Sequence, residues 1–184
     1  MKRSEIIISG SGGQGVVLGG IILAEAAAIY DDLNATHNQS YGPEARGGAS
    51  KSEVIISDKT IHFPEIEHPD ILVALTQEAA RKYGGAVKSR GIMIVDAGVE
   101  IDEALGSSIR VYRLPIAKTA TEVVGKEMTI NMVTLGALVA ITGIVSEQAL
   151  EKAALARVPE GTEELNKKAL AEGSTLAGSH KHRA

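Results

Sequence analysis

A glycine-rich turn between an apolar strand and an apolar helix constrains this chain more than any other feature. Glu5–Ser9 is a short run rich in β-branched residues. Gly10-Ser11-Gly12-Gly13-Gln14-Gly15 follows it, and Val16–Tyr30 is small or apolar almost throughout, with Glu25 its only charge before Tyr30. Gly10, Gly12 and Gly15 match G-x-G-x-x-G in the strand-to-helix context that the motif requires. The first glycine permits a tight turn, the second lets a ligand or another backbone approach, and the third lets helix and strand pack. The N–H groups that open the helix favour an anion.

The rest of the chain keeps the same alternation. Short continuous apolar runs at Ala49–Ser57, Asp70–Thr76, Gly91–Asp96 and Ile109–Arg113 read as strands. Helices are expected over Gln77–Tyr83 with Thr76 as N-cap, about Ala117 to Gly125, Asn131–Val145, Ser146 to about Arg157, and Thr162 to about Ala171. Asp58-Lys59 reads as a two-residue turn and Thr60–Phe63 as a returning strand. Asp102–Leu105 reads as a short turn or helix. The fold class is α/β: a Rossmann-like, doubly wound, mostly parallel sheet with an antiparallel hairpin and C-terminal helices. A single domain over 1–172 is expected. The small, polar and basic stretch 173–184 reads as a flexible tail.

Composition narrows the function. With 184 residues, one hydrophobic core is enough. The net charge of −4 and an aromatic content of 3%, with one Phe and no Trp, leave neither a basic face nor a stacking surface for nucleic acid. There is no cysteine, so no disulfide framework, thiol nucleophile or cysteine-ligated metal centre arises in this chain. Met1–Ser4 has no apolar signal-type segment, and no apolar run reaches the ~18 residues of a membrane helix. A cytoplasmic protein with no membrane partner is expected. The five histidines lack zinc-site spacing, and neither a nucleophile elbow nor a P-loop is present. No catalytic or metal residue is assigned.

Three features carry what function there is. A dinucleotide site needs an acidic residue at the end of the second strand. Asp31 and Asp32 precede that strand, and its end, Gln39-Ser40, has no acid. A free-standing NAD(P)-linked oxidoreductase is therefore the weaker alternative. Next, Thr36–Gly48 is a polar stretch whose start is compatible with a strand but which has Ala45 as its only aliphatic residue, with Tyr41, Glu44 and Arg46 able to act on a ligand or partner. Asp96 suits a site at a strand end or the capping of its own turn. Last, two helices, Val16–Tyr30 and Asn131–Val145, are apolar all round. One small domain is not expected to cover both, which points to partner subunits and to a homodimer when the chain is isolated.

At these residues the chain resembles a known family. Gly-Ser-Gly-Gly-Gln-Gly-Val-Val at 10–17, Leu23-Ala24-Glu25-Ala26, Ser40-Tyr41-Gly42-Pro43-Glu44-Ala45-Arg46-Gly47-Gly48, Pro69-Asp70, Asn131-Met132 and Leu135-Gly136 are similar to the gamma subunit of 2-oxoacid:ferredoxin oxidoreductases. The similarity runs in order from about residue 4 to 172. It leans toward the 2-oxoglutarate and general 2-oxoacid members and away from the pyruvate ones. Ala45 stands where that run often carries Met.

The resemblance implies a complex that is active only as a whole. A 2-oxoacid, coenzyme A and oxidised ferredoxin give acyl-CoA, CO2 and reduced ferredoxin. Thiamine diphosphate and the iron–sulfur clusters are expected on alpha, beta and ferredoxin-like subunits, and ferredoxin is the acceptor. In related single-chain enzymes the equivalent domain is implicated in coenzyme A binding. The residues implied here are Gly10, Ser11, Gly12, Gly13, Gln14 and Gly15 with Tyr41, Glu44 and Arg46, in a cleft shared with a partner. A purely structural subunit is the remaining alternative.

Overall fold

The computed structural model describes residues 3–41, 49–102, 105 and 107–180. Outside them lie part of the polar run (42–48, with Glu44 and Arg46), part of the turn expected over 102–105, and 181–184. Six strands form one sheet: β1 (Ser4–Ser11), β2 (Asn34–Tyr41), β3 (Ala49–Ser57), β4 (Ile71–Ala74), β5 (Ile92–Asp96) and β6 (Arg110–Leu114), in the order β2-β3-β1-β4-β5-β6. β1, β4, β5 and β6 are mutually parallel, and β3 is antiparallel to both β1 and β2. The mixed α/β sheet expected from the sequence is present.

The helices are α1 (Val16–Glu25), prolonged by the wider turns Ala26–Tyr30, and α2 (Gln77–Tyr83), then α3 (Ile116–Lys118), prolonged by Thr119–Val124. Three more follow: α4 (Ile130–Thr142), α5 (Glu147–Leu155) and α6 (Glu163–His180). Side chains alternate across each central strand. Ile6, Ile8, Val54, Ile56, Val73 and Ile94 join α1, α4 and α5 in one cluster. Ile7, Leu72, Ala74, Met93 and Val95 meet α2 on the other face. From β1 the chain winds by α1 to one edge of the sheet, and from β4 it winds by α2 to the other. The direction reverses between β1 and β4. Thr76 accepts the Ala79 N–H at 3.2 Å and Ser146 the Ala149 N–H at 3.1 Å, capping α2 and α5 as their sequences suggest.

Three expectations change. Thr60–Phe63 does not return as a strand. The hairpin is β2–β3, and β2 is a full strand although polar on both faces, because β3 supplies its pairing. The stretch from Gly173 is not a tail as far as His180, since α6 continues through it. Gly136 and Gly173 explain why. A Cβ on Gly136 would lie 2.1 Å from the Leu170 carbonyl oxygen, and one on Gly173 would lie 2.1 Å from that of Val133. The small residues that read as loose are those that let α6 lie backbone to backbone on α4.

That contact also removes the argument from an uncovered helix where α4 is concerned. Ile130–Val139 of α4 is buried at every position, and α1 buries Val16, Gly19, Gly20, Ile22 and Leu23. α4 is thus covered within the chain, whereas α1 leaves Val17, Leu18 and Ile21 half-buried and the turns that prolong it leave Ile29 and Tyr30 exposed. At the far end of α1, Arg157 pairs with Glu25, and Asp31 accepts both the Ser146 N–H and its hydroxyl at 2.6 Å.

Candidate functional site at the glycine turn

The glycine turn leaves the sheet where its strand order reverses, the place in a doubly wound sheet where ligands sit. β1 brings Gly10 opposite Ser50 of β3, and β2 brings Tyr41 opposite the same Ser50. Gly10 and Tyr41 therefore flank one residue at one edge. Tyr41 is 66% exposed, and Gly12 and Gly13 lie at the surface. Ser9 donates its hydroxyl to the Ser50 carbonyl at 3.1 Å, and the Ser50 hydroxyl donates to that of Gly10 at 3.4 Å, which tie the strands together beneath the turn.

Within the turn the backbone takes a left-handed conformation at Gly13 (φ 95°) and Gly15 (φ 68°), which a side chain would resist. Gly15 immediately precedes α1 and offers it no side-chain cap, and no acidic residue sits in the first turn. The Gly15 carbonyl accepts the Gly19 N–H at 2.8 Å. The N–H groups of Val16, Val17 and Leu18 have no intrahelical acceptor, so α1 presents an open, partly positive end. Gln14 folds back over the turn: its Oε1 accepts the Ser11 N–H at 2.8 Å and lies 2.3 Å from where a Cβ on Gly10 would stand.

A residue not assigned to the site from the sequence closes its inner wall. Asn131, the second residue of α4, is only 6% exposed. Its Oδ1 accepts the Met132 N–H at 2.9 Å, which fixes which end of the carboxamide is oxygen. Its Nδ2 lies 2.7 Å from the place of a Cβ on Gly15. Asn131 therefore explains the third glycine of the motif as well as the left-handed backbone does. The signal in the sequence was one amide among ten apolar or small neighbours.

The structure thus brings together Gly10 to Gly15 and Tyr41. Asp96 caps a turn and a helix: its carboxylate accepts N–H groups of Gly98 at 3.4 Å and of Ala117 at 2.8 Å. His37 Nε2 lies 2.6 Å from Ser52 Oγ, but Ser52 has no exposed surface and no substrate can reach it. Burial holds the His37 imidazole below its ordinary pKa. Among the described residues no group of three or more His, Asp or Glu can hold a metal ion, and the chain has no cysteine to ligate a cluster. None of the described helices is long and apolar enough to cross a membrane. A dinucleotide arrangement is disfavoured by topology as well, because β3 separates β2 from β1. Two hollows of the surface lie elsewhere: about 700 Å³ beside Gln77, Arg81 and Glu100, and about 360 Å³ beside Arg3, Lys88 and Arg110. The glycine turn itself is a shelf with one wall.

Comparison with known proteins adds to this geometry. The family model described as pyruvate ferredoxin/flavodoxin oxidoreductase matches residues 5–176. A 2-oxoglutarate synthase subunit KorC from Methanocaldococcus jannaschii is 48% identical over 176 residues, covering 95% of this chain and 94% of that one. A crystal structure of a keto/oxoacid ferredoxin oxidoreductase gamma subunit from Geobacter sulfurreducens is 47% identical with a TM-score of 0.88, over 97% of this chain and 98% of that one. The 2-oxoglutarate:ferredoxin oxidoreductase of Magnetococcus marinus, solved with 2-oxoglutarate, coenzyme A and succinyl-CoA bound, is 25% identical with a TM-score of 0.87. It covers 97% of this chain, which corresponds to 32% of that longer one.

Proposed function

Because the chain belongs to the pyruvate ferredoxin/flavodoxin oxidoreductase family, we propose that it serves as the gamma subunit of a 2-oxoacid:ferredoxin oxidoreductase of the 2-oxoglutarate type. In this reading it holds coenzyme A against partner subunits that carry the chemistry. Thiamine diphosphate and iron–sulfur clusters reside on those alpha, beta and ferredoxin-like subunits, ferredoxin takes the electrons, and the complex works in the cytoplasm.

The observation that carries the reading is the open end of α1 at the reversal point of the sheet. It offers unsatisfied N–H groups to a diphosphate on a shelf that lacks its second wall. A partner subunit supplies that wall, and Tyr41 borders the cleft from this chain. Coenzyme A is suited to such a shelf, because its diphosphate matches the helix end while its pantetheine arm extends toward chemistry housed elsewhere.

The test is purification of the tagged chain from its own cells, followed by assay. The expected outcome is a complex that reduces ferredoxin only when both 2-oxoglutarate and coenzyme A are present. In that complex, coenzyme A should slow amide exchange at Gly10–Gly15. Assembly and activity without protection of the turn would leave a purely structural subunit.

A further inference from the structure

The hollow of about 360 Å³ lies at the end of the sheet opposite the glycine turn, against the first residues of β1, β4, β5 and β6 and the end of α4. Its floor is apolar, since Ile71, Ile92 and Ile144 are buried there. Its rim is basic, with Arg3, Lys88, Arg90 and Arg110. The chain as a whole carries a net charge of −4, so this concentration of cations runs against its average.

Two of the four cations are already engaged. Arg3 Nε donates to Glu5 at 2.7 Å, and Lys88 Nζ donates to Glu5 at 2.9 Å and to Asp70 at 3.0 Å. The other Asp70 oxygen accepts the Glu5 N–H at 2.9 Å. Among the described residues, the guanidinium groups of Arg90 and Arg110 have no hydrogen bond or ion pair. The carbonyl end of α4 brings roughly half a negative charge to the same rim, which two guanidinium groups exceed.

Arg90 also stands where its backbone disfavours it. The Gly91 N–H donates to the Lys88 carbonyl at 2.8 Å, closing a four-residue turn with Arg90 in third place. The backbone of Arg90 is left-handed, φ 66°. Glycine or asparagine suits that position, and arginine is strained in it. Nothing in the turn favours arginine over glycine. What arginine adds is a cation at the rim. The Arg110 N–H donates to the Gly91 carbonyl at 2.8 Å, so β6 holds the second arginine beside the same turn.

We propose that this hollow binds a small dicarboxylate, with one carboxylate on Arg90, the other on Arg110, and the aliphatic spacer over Ile71, Ile92 and Ile144. A guanidinium fork matches a carboxylate through two parallel hydrogen bonds. A monocarboxylate would leave one arginine unmatched, and inorganic phosphate would leave the apolar floor uncovered. The volume falls within the range of small-molecule sites, about 300–1,000 Å³. The site is separate from the glycine turn and does not depend on the coenzyme A reading.

The test uses the full-length chain and glutarate, followed by calorimetry at constant ionic strength. Glutarate should bind saturably. Valerate, of equal length with a single carboxylate, should bind at least about tenfold more weakly. Arg110→Gln should weaken glutarate binding by a similar factor. Arg90→Gly should do the same while urea unfolding stays close to wild type, because glycine accepts the left-handed backbone. An arginine kept for the turn itself would instead lose stability. A linear, unsaturated response to glutarate would overturn the proposal, as would wild-type affinity in a folded Arg90→Gly chain. Inorganic phosphate binding as tightly as glutarate would reduce the hollow to a general anion patch and overturn it too. So would loss of a subunit from the purified complex on Arg110→Gln, which would assign the rim to a partner's carboxylates.

Discussion

Gln14 Oε1 accepts the Ser11 N–H at 2.8 Å, so the turn is closed by its own side chain. Gln14→Glu would strengthen that closure, since a carboxylate makes a bond about twice as strong as a neutral acceptor does. It would also repel an anion. Diphosphate affinity should drop roughly tenfold or more by calorimetry, since each ~1.4 kcal/mol is a factor of ten. Unchanged affinity would mean that the Gln14 oxygen does not compete with an anion for the Ser11 N–H.

Two glycines of α6 should respond to alanine in opposite ways. At Gly173 the new methyl meets the Val133 carbonyl oxygen at 2.1 Å, and both atoms belong to packed helices. A loss of about 1–3 kcal/mol or more is expected. At Gly178 a Cβ meets nothing within 4 Å. There the helix propensity of alanine should add up to about 1 kcal/mol. Urea unfolding of the two variants side by side checks the sign of each.

Acid should weaken the fold partly through His37. Its folded pKa is depressed by burial, so the unfolded chain binds a proton that the folded chain resists. The stabilisation is full above the ordinary histidine pKa near 6.5 and is lost as pH falls from there toward the folded value. Melting temperatures at pH 7.5 and 5.5 should differ in wild type, and the gap should narrow in His37→Gln. An equal gap in both would assign the acid sensitivity elsewhere.

Glu25 acts lower on the scale. The Arg157 hydrogen bond, which outweighs the effect of burial, holds its carboxyl below the usual carboxylate range. Stability from this pair is present above about pH 4.5 and fades as pH falls further. Both side chains are partly exposed, so Arg157→Gln should cost little at neutral pH. Below pH 4 the variant and wild-type unfolding curves should converge.

Much of this fold was legible because its parts announce themselves locally. The short continuous apolar runs at Ile6–Ile8, Leu72–Ala74 and Met93–Val95 read as buried strands. Thr76 and Ser146 precede helices they go on to cap. β2 was less legible because Asn34–Tyr41 has no apolar alternation, and a polar strand owes its existence to the backbone of its neighbour. Two further misreadings were one error. With α6 stopped near Ala171, α4 appeared uncovered. Gly173, Thr175 and Gly178 read as a loose end because glycine's lack of a side chain counts against an isolated helix, although at Gly173 it admits a neighbouring backbone. The turn at Gly10–Gly15 was found by its motif. Asn131 escaped assignment because a buried amide in an apolar helix looks like any satisfied core residue until its partners are counted.

The Gly136–Gly173 contact has a mechanical meaning. Most helix pairs meet through a layer of side chains, whose rotamers can give and let one helix slide on the other. Here the Gly136 and Gly173 positions have no such layer, so α4 and α6 behave as one beam. A displacement of α6 would pass to α4, whose first turn carries Asn131. Such a beam can shift the floor of the glycine turn as a whole, but it cannot deform it piecemeal.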